Sequence, residues 1–159
     1  MKKLLVFLLI LSSCKENKEA FFSVDTSMDI QVIDSFGNNL LNPDVSNSYS
    51  HNEIKIHFII NGEKTFIWEP LMQFPNRFHI YDDFNSGDYH IRIFPNESEN
   101  EDLPVTLIQW DINDTDTIVC HYKRTKGYVT CDYLWYNEMY IDPALTNNRH
   151  FTIVKGGKK

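Results

Sequence analysis

The sequence predicts an all-β domain, an antiparallel β-sandwich of about eight to ten short strands, with a small β-barrel as the alternative. Three observations carry this. Apolar and polar residues alternate with a period of two over several short segments, as in strands with one buried face. Turn signals rich in Gly, Asn and Pro separate those segments at sandwich-like spacing. No segment keeps a 3.6-residue period, and the best helical candidate is a single turn near residues 142–147.

The elements follow in order. Residues 29–34 (DIQVID) alternate briefly and stop at Gly37-Asn38-Asn39. Residues 53–60 place Ile54, Ile56, Phe58 and Ile60 on one face. Asn61-Gly62 then forms the strongest short hairpin signal, because both residues tolerate positive φ. A return strand runs over about residues 64–68, and Pro70 and Pro75 bracket a loop. Residues 78–82 and 89–94 are extended around an Asn85-Ser86-Gly87-Asp88 turn, and residues 95–104 form a polar loop. Strands over 105–110, a hairpin spanning 115–135, and strands over 138–141 and 151–154 complete the domain.

Val32, Asp34, Gly37 and Leu40 fall in a V-x-D-x-x-G-x-x-L spacing. This resembles the opening strand and turn of transthyretin-like and related immunoglobulin-like domains in Bacteroidota cell-surface proteins. The resemblance covers about ten residues and implies a sandwich of that kind.

The N-terminus carries an address. Lys2 and Lys3 precede an apolar run over residues 4–11. Eight residues are too few to cross a bilayer, which takes about 20, but they suit the h-region of a secretory signal. Leu11-Ser12-Ser13-Cys14 follows and resembles the lipobox of bacterial lipoproteins. That likeness implies removal of residues 1–13 and lipidation of Cys14. Residues 14–24 are then a lipidated tether, 25–155 a single β domain and 156–159 a tail. Lys15 stands where an aspartate would signal inner-membrane retention, so lipoprotein sorting patterns imply the outer membrane. The charged stretch over residues 15–19 also resembles the tags of Bacteroidota surface lipoproteins.

Composition narrows the partners. The formal charge is −7 and becomes −9 on loss of Lys2 and Lys3. An acidic domain is repelled by nucleic acid and by anionic headgroups. Membrane attachment should rest on Cys14 alone, leaving an envelope protein or a glycan as the class of partner.

Export places Cys120 and Cys131 where disulfides persist. A loop over residues 124–127 sets Cys120 opposite Cys131, Tyr122 opposite Val129 and Ile118 opposite Tyr133, leaving one apolar face. A one-residue slip mixes the faces, so this register predicts a cross-strand disulfide.

The remaining candidates are few. Asp111, Asn113, Asp114 and Asp116 form an acidic loop that could hold Ca²⁺, but it lacks the Gly and the bidentate Glu of an EF-hand; a solvated loop with Asx-turns is the alternative. The six histidines show no metal-binding spacing, and in strands most should face solvent. There is no Gly-x-Ser-x-Gly, no phosphate loop, no catalytic constellation and no sign of a cofactor. Tyr133 and Trp135 should share a face with Cys131, leaving Tyr136 and Tyr140 on other surfaces where they could stack on a sugar or peptide. The expected role is a non-catalytic binding or accessory module; a glycan or peptide hydrolase and a structural envelope component are the alternatives.

Overall fold

The computed structural model describes residues 23–83 and 88–157. They form eleven strands in two stacked sheets, with no helix among them. The fold is an all-β sandwich, and neither sheet closes into a barrel. The strands are β1 (Ser23–Asp25), β2 (Met28–Ile33), β3 (Lys55–Ile60), β4 (Glu63–Phe66), β5 (Phe78–Asp83) and β6 (Asp88–Ile93), followed by β7 (Val105–Gln109), β8 (Thr115–Arg124), β9 (Tyr128–Tyr136), β10 (Met139–Ile141) and β11 (His150–Val154). The larger sheet runs β1-β9-β8-β7-β3-β4, with β10 pairing the remaining length of β9. The smaller runs β11-β2-β6-β5.

Two pairings depart from the antiparallel expectation: β1 runs parallel to β9, and β11 parallel to β2. Both terminal strands thus dock beside strands that they do not directly follow in the chain. β1 also begins at Ser23, inside the segment read as tether, because its backbone completes an edge of β9.

Local chemistry explains the turns. Asn61 and Gly62 take φ of 53° and 83°, and Ile60 pairs with Glu63 across the tight hairpin. In the Val32–Leu40 motif, the Asp34 carboxylate accepts the amides of Phe36 and Asn38 at 2.8 and 2.9 Å. Gly37 supplies a φ of 86°, and the Leu40 amide returns to the Val32 carbonyl at 2.7 Å. Val32 and Leu40 are both fully buried, so the spacing is that of a turn pinned between two core residues. Asp142 caps the turn predicted near residues 142–147: its Oδ1 accepts the Ala144 amide and its carbonyl accepts the Thr146 amide. Positive φ at Asn147, Asn148 and Arg149 then stops it.

The core lies between the sheets. Met28, Ile30, Val32, Ile91 and Ile93 face Ile56, Ile108, Ile118, Leu134 and Trp110, all fully buried. Burying one such side chain contributes about 1.5–3 kcal/mol.

The β8–β9 register differs from the predicted one. Tyr122 pairs with Cys131, Lys123 with Thr130 and Arg124 with Val129. The hairpin loop has moved by one residue, which slides the strands by two and leaves every inward face intact. A period-two pattern fixes register only to within such even slips. Further along, His121 pairs with Tyr133, so Asp132 is an extra residue in β9 and makes a β-bulge. Beyond it the faces invert. Leu134 and Tyr136 point into the core, while Tyr133 and Trp135 point outward.

Candidate functional site

The bulge builds a surface. With Tyr133 and Trp135 turned outward, their rings stack at 6.2 Å with planes 18° apart. Tyr140 pairs with Trp135 across the β9–β10 register and joins them, its ring 5.9 Å from Trp135 and 6.3 Å from Tyr133. His121 flanks Tyr133 edge-on at 5.6 Å, and its Nδ1 lies 2.6 Å from Asp132 Oδ1. Tyr133 is 48% and Tyr140 47% exposed. The result is a shallow aromatic platform with an imidazole–carboxylate pair at its rim. Aromatic faces carry partial negative charge and attract polarised C–H groups, while tyrosine hydroxyls and imidazoles offer hydrogen bonds.

Tyr140 is therefore exposed beside these rings. Tyr136 is not: it is buried, and its hydroxyl donates to Asp116 Oδ2 at 2.5 Å. The bulge exchanged its role with that of Tyr133 and Trp135. No turn residue marks the inversion in the sequence.

The acidic loop closes one end of the sandwich. Asp116 is buried on the inward face of β8 and accepts Trp110 Nε1 at 2.6 Å, Asn137 Nδ2 at 2.6 Å and Lys155 Nζ at 2.5 Å, in addition to Tyr136. Lys155 also reaches Asp114 Oδ1 at 2.8 Å, and Tyr49 donates to Asp114 Oδ2 at 2.8 Å. An ammonium thus stands between two of the carboxylates considered for Ca²⁺. Asp111 accepts the Asn113 amide at 2.6 Å, an Asx-turn. No three His, Cys, Asp or Glu side chains among the described residues are grouped as metal ligands. Burial pushes the Asp116 carboxyl up, but the hydrogen bonds from Lys155, Tyr136 and Asn137 outweigh it and hold it below the ordinary value. Beside this network is a half-open cleft of about 370 Å³ that includes Asp111, Asp114 and Lys155 in its lining.

No protein-family model, curated protein or solved structure matches this chain.

Cys120 and Cys131 are buried free thiols in this structure. Cys120 lies opposite Leu134 and Cys131 opposite Tyr122, so they are diagonal neighbours on the core face rather than directly opposed. Their side chains still come within hydrogen-bonding reach, and that contact together with burial raises the Cys131 thiol above its ordinary value. Cys14 lies outside the described residues. Two histidines expected at the surface are buried, His57 and His90. His57 sits on the outer face of β3, where Phe66 covers its ring edge-on at 5.7 Å. His90 packs against His150.

Proposed function

We propose that this protein is a lipid-anchored, non-catalytic binding module of the bacterial outer membrane, and that its ligand is a neutral glycan held on the Tyr133–Trp135–Tyr140 platform. The observation that carries the reading is the cluster of Tyr133, Trp135 and Tyr140 rings, the first two near-parallel, on an open sheet face. A sugar ring laid on such a surface puts its axial C–H bonds against the ring faces. Its hydroxyls meet His121 and Asp132 at the rim. The formal charge of −9 after loss of Lys2 and Lys3 argues against acidic polysaccharides, which would be repelled.

The proposed anchor fits this placement. Ser23 donates its amide to the Gly127 carbonyl at 3.0 Å, so the chain enters the domain beside the β8–β9 hairpin tip. The nine residues from Cys14 to that point reach at most about 30 Å. Trp135 lies seven residues along β9 from Tyr128, about 23 Å further from the tip. A domain tethered at this end holds its platform away from the bilayer. In an oxidising envelope the neighbouring Cys120 and Cys131 thiols close to a disulfide after a small shift.

The hydrolase alternative would draw on the cleft at Asp111 and Asp114. Each of those carboxylates is held by hydrogen bonds from inside the protein, which is why binding is preferred.

The test is affinity electrophoresis and a glycan array on the full lipidated protein, with Tyr133→Ala, Trp135→Ala and Tyr140→Ala. Neutral polysaccharides should retard the wild type, and each variant should weaken binding roughly tenfold, about 1.4 kcal/mol per ring. No retained glycan, or equal retention by all three variants, sinks the proposal. A crosslinked protein lost with the same rings would favour a peptide partner instead.

A further inference from the structure

The outer face of the smaller sheet brings together two histidines that lie 60 residues apart in sequence. His150 begins β11 and pairs in parallel with Asp29 of β2. On the other side of β2, Asp29 pairs with Arg92 and Ile30 with Ile91, which sets His90 diagonally across from His150. Their side chains close over β2. His90 Nδ1 lies 3.2 Å from His150 Nε2, with ring centroids 4.6 Å apart and planes at 86°. His90 is 4% exposed, walled on its β5 side by the ring of Tyr81 at 5.7 Å. His150 stands at the open side.

We propose that His90 and His150 form a two-histidine site for a divalent transition-metal ion of the Zn²⁺ or Cu²⁺ type. Imidazole nitrogens bind such ions at about 2.0–2.1 Å, and two of them at a near-tetrahedral angle lie roughly 3.3 Å apart. The observed nitrogen separation matches that spacing. Imidazole is the ligand that suits Zn²⁺, Cu²⁺ and Ni²⁺, whereas Ca²⁺ and Mg²⁺ prefer oxygen. Burial and the neighbouring His150 keep His90 in the neutral form that ligates metal, while Asp29 on the same face is already paired with Arg92. No third His, Cys, Asp or Glu among the described residues completes the set, so water fills the other positions. An ion here would clip β11, an edge strand, to β6 across β2. The competing account is a plain hydrogen bond between two neutral imidazoles, which occupies the same distance.

The experiment is calorimetric titration of the full chain, stripped with a chelator, using zinc chloride and separately copper(II) chloride. One equivalent should bind, and His150→Gln and His90→Gln should each weaken it at least tenfold. His51→Gln and His121→Gln should bind as wild type does. His150 is exposed, so its variant decides the matter even if His90→Gln does not fold, with thermal melting reporting the fold. Absence of binding, binding unchanged in His150→Gln, or loss in His121→Gln overturns the proposal.

Discussion

Lys155 Nζ lies 2.5 Å from Asp116 Oδ2, in a contact that leaves the lysine side chain 10% and the aspartate 8% exposed. It ties the residue just after the last strand to the inward face of β8, across the gap between the sheets. Three neutral donors converge on the same carboxylate, so the charge is well satisfied only while the lysine is present.

Replacing Lys155 by Met should therefore destabilise the domain by about 3 kcal/mol, because it leaves a buried carboxylate without its cation. Chemical denaturation of the variant checks this. Tyr136→Phe removes one hydrogen bond to a charged group and should cost less, about 1.5–3 kcal/mol.

The same carboxylate predicts acid sensitivity. Its folded pKa lies below the ordinary 3.8, so the unfolded chain binds the proton more readily. The stability it contributes is complete above 3.8 and is lost as pH falls through the depressed folded value. Lys155→Met should shrink that acid-dependent component, read as melting temperature between pH 5 and 2.

A second pH effect should come from His57 and His90. Burial holds both imidazoles below the ordinary 6.5, with Lys64 and Lys55 adding to it for His57 and His150 for His90. The unfolded state takes up protons first, so stability declines as pH drops below 6.5 towards the folded values. Melting curves between pH 7.5 and 5 should fall for the wild type and flatten in the double variant His57→Gln/His90→Gln; parallel curves would refute the assignment.

If the thiols close in the exported protein, alkylation should label Cys120 and Cys131 only after reduction, as read by intact mass. A loop this short contributes at most about 3 kcal/mol. Labelling without reductant would show that the envelope form keeps the pair reduced.

Cys14→Ala should release the protein from the membrane fraction, since attachment is assigned to the acyl chains alone. Retention in membranes would remove the anchor from the account.

Deleting Asp132 offers the sharpest check on the bulge. Without the extra residue, Tyr133 follows Cys131 directly, and regular alternation keeps Tyr133 and Trp135 outward and Leu134 and Tyr136 inward. The variant should fold with a regular β8–β9 ladder, read by amide hydrogen exchange across the hairpin, and an unfolded chain would refute this; Asp132→Asn should keep the bulge and lose only the carboxylate beside His121.

Much of this protein was legible in one dimension. The alternation of Ile54, Ile56 and Phe58, the Asn61-Gly62 turn and the Val32–Leu40 motif are local, set by side-chain period and by which residues tolerate positive φ. They were enough to predict an all-β domain, with a sandwich first and a small barrel as the alternative that the two open sheets exclude. The tertiary structure alone decided three things. It chose between registers that differ by two residues, because both bury the same faces of β8 and β9. It inserted the Asp132 bulge, which moved the exposed aromatic surface from Tyr136 to Tyr133 and Trp135. It also docked β11 against β2, bringing His150 to His90 and Lys155 to Asp116. A period-two pattern says which residues point the same way along one strand; which strands become neighbours depends on packing between residues far apart in the chain.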